Sequence, residues 1–95
     1  MSDGYSINLA SGVVRALRVG PPRGLPLNAA WAILEFVQGP LSQDPWRMSK
    51  PLHDEFEGFR CARRGEYRIV LRIDEEQRVV RVARVDHRPD IYRPS

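Results

Sequence analysis

The sequence predicts an α+β fold of order β-α-α-β-β-β, a helical hairpin packed on a small, mostly antiparallel sheet. Three observations predict it. Tyr67, Ile69, Leu71 and Ile73 alternate with Arg68, Val70 and Arg72, the period of two expected of a strand with one buried face. Segments of strand character flank this one across short polar breaks at Arg64 to Glu66 and at Asp74 to Gln77, breaks of a kind that join antiparallel neighbours. Upstream, two stretches with helical spacing end in glycine-proline signals. At 95 residues, the chain has room for one domain, residues 1–95, with a single core.

In chain order, Tyr5, Ile7 and Leu9 alternate with polar residues, which predicts a first strand sending those three inward. Ser11 is placed to cap a helix carrying Val13, Val14 and Leu17, which Gly20, Pro21 and Pro22 stop. After a loop at Arg23 to Pro26, a second helix from Asn28 sets Ala30, Ile33, Leu34 and Val37 on one stripe and ends at Gly39 and Pro40. Trp31 and Trp46 are expected to fill core, as large aromatics in small domains mostly do. Leu41 to Glu57 has two prolines and no period, so it reads as an ordered loop with His53 on its surface.

Phe59 to Tyr92 then forms the meander and holds most of the positive charge. A two- or four-residue turn within Asp74 to Gln77 pairs residue i with 151 minus i, setting Val80 and Val82 beside the apolar face and Arg68, Arg72, Arg81 and His87 on the other. A three-residue loop at Arg64 to Glu66 turns Phe59 and Cys61 to the core and Arg60 to the basic face. Arg60, Arg68 and His87 are thus expected on one surface, with Arg88 just beyond, where a bulge could re-aim it. Like charges set across strands repel, and a polyanion relieves them.

Composition narrows the function. No apolar run approaches the ~20 residues of a membrane span, and the N-terminus lacks a basic region followed by an apolar one, so the expectation is a cytoplasmic protein with no membrane partner. A lone Cys61 excludes an intramolecular disulfide. Two histidines and one cysteine at unrelated positions make no zinc pattern, and the glycines around Pro21 and Pro22 lack the lysine and strand context of a phosphate loop, so neither metal nor nucleotide cofactor is expected. The basic residues are fourteen arginines against one lysine, Lys50. Guanidinium forks grip phosphate bidentately and stack on bases.

Several linked stretches resemble the RelE branch of the RelE/ParE toxins of bacterial type II toxin–antitoxin systems: Gly39-Pro40-Leu41, Lys50-Pro51-Leu52, Arg63 to Arg68, Ile73-Asp74, and Val85 to Tyr92. Together they span nearly the whole chain. The resemblance implies a RelE-like fold and a ribosome-dependent endoribonuclease, an mRNA interferase that cuts messenger RNA in the A site and halts translation. Its implied partners are the 70S ribosome and mRNA, a RelB-like antitoxin, and operator DNA only through the antitoxin complex. Carried over by position, Arg68, Arg88 and Tyr92 fill catalytic places. Where better-studied members use lysines, this chain has Phe59, Arg60, Cys61, Ala62 and Arg63.

Cleavage by an adjacent 2′-hydroxyl needs a base, cations on the phosphorane and an acid for the leaving oxygen. Arginines supply charge but do not shuttle protons, which leaves His87 and Tyr92 for that task beside Arg68 and Arg88. Arg60, Arg63, Arg64 and Lys50 are the expected substrate-binding cations. The tail from Pro89 to Ser95 is the expected antitoxin target, because it follows the last strand with few apolar residues to hold it. Two alternatives stand beside this reading: a ParE-like inhibitor of DNA gyrase, and a degenerate toxin acting only as an antitoxin-binding co-repressor.

Overall fold

Among the described residues the sheet has five strands, one more than the sequence predicts. In this computed structural model, which describes residues 4–20, 24–52 and 58–87, the chain runs β1 (Ser6–Leu9), α1 (Ser11–Val19), α2 (Leu27–Phe36), β2 (Lys50–Pro51), β3 (Arg60–Arg64), β4 (Tyr67–Asp74) and β5 (Val79–His87). Spatial order is β1-β5-β4-β3-β2. All neighbours are antiparallel except β1, which joins β5 in parallel. A parallel pair cannot be closed by a tight turn, and the helical hairpin supplies the crossover. The extra strand, β2, lies within the stretch expected to be loop and pairs along the β3 edge.

Strand β1 passes into α1 without a side-chain cap. The Ala10 N–H donates to Val82 O at 3.0 Å, continuing the parallel ladder, while its own carbonyl accepts the first helical bonds from Val13 and Val14. Ala10 is therefore the N-cap and Ser11, expected to cap, is the first helical residue. The end of α2 also differs from expectation. Helical winding continues beyond Phe36 as a π-helical turn, Val37–Leu41, with Pro40 inside it. A wider turn changes the hydrogen-bonding register where proline has no N–H to give, and it brings Val37 and Leu41 into the core together.

That core comprises Tyr5, Val13, Ile33, Val37, Leu41, Ala62, Ile69, Leu71, Val80 and Val82, with Ile7, Leu9, Tyr67 and Ile73 packed against it. The helices thus cover the face of β4 that the alternation marks as apolar, and the opposite face is open. Trp31 and Trp46 do not fill core; both are exposed.

Two turns and a bulge decide which side chains share the open face. The β3–β4 turn has two residues, because Arg64 pairs directly with Tyr67. Gly65 has φ 62° at the first central position, where such a hairpin turn calls for glycine. One residue fewer than expected inverts β3: Ala62 faces the core opposite Ile69, and Cys61 and Arg63 lie beside Val70 and Arg68. Arg60 consequently leaves the Arg68 face. The β4–β5 turn has four residues, Glu75 to Arg78, with Asp74 opposite Val79 rather than Gln77. Farther along, a bulge lies between the Leu71↔Val82 and Val70↔Arg84 pairs, with Ala83 as the extra residue. Beyond it the faces of β5 exchange, so that Asp86 opposes Arg68 and His87 opposes Tyr67 on the helix side.

Candidate functional site

A groove of about 520 Å³ lies between residues 47–52 and the open face of β3 and β4, lined by Arg47, Lys50, Cys61, Arg63 and Arg68 among others. Its floor is set by the strands. Arg63 stands directly opposite Arg68, and Lys50 opposite Cys61. Like charges directly opposed across strands are destabilising, and partial relief comes from Asp86, 4.0 Å from Arg68 Nη2. Asp86 is itself bonded at 2.8 Å to Arg84. The Arg68 Nε–H is buried without a partner among the described residues. A half-buried guanidinium with a distant counter-ion and one buried, unsatisfied donor is poorly compensated by the protein, and its side chain keeps 22% of its surface exposed.

The outer wall of the groove is held by a network on its far side. Arg60 donates from Nε to Ser49 Oγ at 2.8 Å and from Nη2 to Ser49 O and Trp46 O at 2.8 and 3.1 Å, and its guanidinium lies 4.8 Å from the Trp46 ring centroid. Glu75 Oε1 accepts from Tyr5 Oη at 2.6 Å and from Trp46 Nε1 at 2.8 Å, and Arg78 bonds to both Glu75 and Tyr5. The turn of the meander, the first strand and the wall are thus tied at one carboxylate.

Those bonds, the Tyr5 hydroxyl first and Trp46 second, hold the Glu75 carboxyl below its ordinary range. A carboxyl depressed in the folded state stabilises it above the unfolded pKa, and the gain is lost as pH falls through the folded value. Thermal melts should therefore show the stability difference between wild type and Glu75→Gln shrinking as pH drops from neutral to below the ordinary glutamate range. A constant difference across that range would refute the linkage. For Tyr5, the bond to Glu75 and then burial push the hydroxyl up. That contribution is present at neutral pH and is lost only as pH rises beyond the ordinary tyrosine range.

Burial pushes the Cys61 thiol up, outweighing the downward pull of Arg68 and Arg63, so it stays protonated at neutral pH. Ser49 Oγ is engaged, donating to Pro45 O at 2.6 Å and accepting from Arg60. The described lining therefore concentrates positive charge and offers no histidine or carboxylate as a proton acceptor. Its chemistry is to bind and polarise an anion. Among the described residues no three or more His, Cys, Asp or Glu are grouped to hold a metal ion.

Of the residues singled out from sequence, Arg68, Arg63 and Lys50 line the groove, whereas Arg60, Arg64 and His87 do not. Arg60 supports the wall from behind. Arg64 lines a separate cleft of about 390 Å³ against α2, with Ala29, Ala32 and Tyr67. His87 stacks on Tyr67 with ring centroids 4.8 Å apart and meets Glu66 Oε1 at 2.9 Å. Arg88, Tyr92 and the tail from Pro89 to Ser95 lie outside the described residues, as does His53. Sequence reasoning missed Arg47, which sits in an aperiodic stretch with no pattern to mark it, and Asp86, which the bulge turns toward Arg68. Farther along the open face, the Arg72 guanidinium lies 5.1 Å from the Phe59 ring centroid, and Arg81 meets Asp74 at 3.4 Å.

Comparison with known proteins gives this arrangement its relatives. Residues 29–92 match the family model of the ParE toxin of the parDE type II toxin–antitoxin system. The chain is 45% identical over 89 residues to Toxin RelG of Mycobacterium tuberculosis, covering 94% of this chain and 97% of that protein. It is 38% identical over 93 residues to Toxin RelE of the same organism, covering 98% and 93%. The crystal structure of the M. tuberculosis toxin–antitoxin complex RelBE2 contains a chain that superposes with a TM-score of 0.81 at 40% identity, covering 92% of this chain and 94% of that one. The helical hairpin on a mostly antiparallel sheet is the RelE-like fold, and the chain belongs to the RelE/ParE superfamily as a RelE-family toxin of a type II toxin–antitoxin system.

Proposed function

We propose that this toxin is a ribosome-dependent endoribonuclease that cuts messenger RNA in the A site and is silenced by a RelB-like antitoxin. The observation that carries the reading is the convergence of Arg47, Lys50, Arg63 and Arg68 on one open groove, with no carboxylate among the described residues of its lining. In the reaction, the 2′-oxygen attacks the adjacent phosphorus and the P–O5′ bond breaks. The 2′-hydroxyl proton passes to a base, and the departing 5′-oxygen takes up a proton. Arg68 holds the phosphorane charge, while Arg63, Lys50 and Arg47 grip flanking phosphates. These cations supply the charge stabilisation, and the step as proposed requires no metal ion. With Cys61 protonated and His87 on the helix side of the sheet, proton transfer is assigned to Tyr92 and a further positive charge to Arg88.

Primer extension on a message translated in the presence of the toxin tests this: new 5′ ends should appear within ribosomal A sites and vanish when translation is blocked. A second reading is a ParE-like toxin that inhibits DNA gyrase and cuts nothing; it is kept because the matching family model is that of the ParE toxin. Blocked gyrase supercoiling with no new 5′ ends would establish that reading instead. Unimpaired growth on induction, in a host with matched ribosomes, would leave only the antitoxin-binding role.

A further inference from the structure

Building on the reading of the groove as the RNA-cutting site, we infer that Arg60 is a positioning residue for the reaction. It touches no RNA and acts by fixing the wall segment that carries Arg47 and Lys50 beside Arg63 and Arg68. The sheet itself holds that segment weakly. Strand β2 is two residues long, Lys50–Pro51, at the sheet edge, and Pro51 has no N–H to give to a ladder. Arg47 and Lys50 are exposed, so their positions are set by the backbone that carries them.

Arg60 supplies the missing bonds. Three oxygens on either side of Arg47 accept from its fork: Ser49 Oγ from Nε at 2.8 Å, and Ser49 O and Trp46 O from Nη2 at 2.8 and 3.1 Å. Ser49 is buried and its hydroxyl also donates to Pro45 O at 2.6 Å, so one network spans residues 45–49. The Trp46 ring, 4.8 Å from the guanidinium, is pinned in turn by its Nε1 bond to Glu75. Arg60 shares the helix side of β3 with Ala62 and does not line the groove. Its removal leaves those three acceptors without the donor that unites them, and a buried acceptor left unpaired is costly.

The experiment measures single-turnover cleavage of ribosome-bound message at increasing concentrations of wild type, Arg60→Ala, Arg60→Lys and Ser49→Ala, with melts verifying that each is folded at the assay temperature. Arg60→Ala should raise the half-saturating concentration about tenfold, as loss of a charge-assisted contact does, and leave the saturated rate nearly unchanged. Arg60→Lys should restore only part, because a point charge cannot bridge three acceptors. Ser49→Ala, which alters no charge, should shift half-saturation in the same direction. In a chain already carrying Arg47→Ala and Lys50→Ala, Arg60→Ala should cost less than about twofold more, since it acts through those two side chains. An undiminished further loss there, full recovery with Arg60→Lys, or no change at half-saturation would overturn the proposal. Hydrogen exchange of the free toxin separates it from the nuclease reading. The Met48 and Leu52 amides, bonded to Asp44 O and Phe59 O, should exchange faster in Arg60→Ala while those of β4 do not change; unchanged exchange at both would also overturn it. If wild type fails to cut and these two amides do exchange faster, the hold on the wall stands and the nuclease reading falls.

Discussion

Arg68→Ala is expected to reduce single-turnover cleavage of ribosome-bound message by about 10² to 10³-fold, or about 2.7–4 kcal/mol, the range found when one charge-stabilising contact to a transition state is removed. Loss of affinity should be much smaller. The reason is geometric: Arg68 is opposed by Arg63, sits 4.0 Å from Asp86 and has a buried Nε–H without a partner among the described residues, so it is held in place but poorly satisfied. A group in that condition gains most when negative charge develops in front of it. Arg68→Lys should recover only part of the rate, since a point charge replaces a planar fork. Equal losses in binding and in single-turnover rate would mean that Arg68 only anchors a phosphate.

The second large effect concerns the fold. Leu71 is fully buried, opposite Val82 at the residue pair next to the bulge, and it belongs to the core shared by sheet and helices. Leu71→Ala should cost about 2–5 kcal/mol through lost transfer energy and the cavity left behind. Domains of this size have only roughly 5–15 kcal/mol in total, and each kcal/mol shifts the midpoint by about 4–8 °C. Thermal and denaturant melts should therefore show a drop of at least about 10 °C. A loss below about 1 kcal/mol would mean that the site collapses around the smaller residue.

What the sequence disclosed follows the strength of its periodicities. The alternation from Tyr67 to Ile73 identified the buried face of β4, and the glycine-proline signals located both helices to within a few residues. Register was harder, because a side chain's face depends on a single residue in a turn. A two-residue turn at Gly65 in place of three moved Cys61 to the groove and Arg60 away from it. The bulge did leave a trace: apolar spacing along β5 changes from two, Val80 to Val82, to three, Val82 to Val85. That change of interval predicts the exchange of faces that puts Asp86, rather than His87, beside Arg68. Neither the π-helical turn nor the wall it leads into carries such a trace, since both depend on contacts from distant elements, with Arg60 and Glu75 reaching back to Trp46.

The parallel seam between β1 and β5 has a kinetic consequence. Strands β3, β4 and β5 are joined by turns of two and four residues and can zip together from local contacts, whereas β1 must find a partner at the far end of the chain; Tyr5 and Glu75 are 70 residues apart. Closing so long a loop is entropically unfavourable until the helices and meander already hold its ends near each other. Assembly should thus finish with β1, and native-state hydrogen exchange should show the amides of β1 opening in a smaller step than those of β4. Because the same seam anchors Tyr5 to Glu75 and Glu75 to Trp46, the groove wall acquires its full set of ties only when this last strand arrives, so the groove of a folding chain becomes firm only as its sheet is completed.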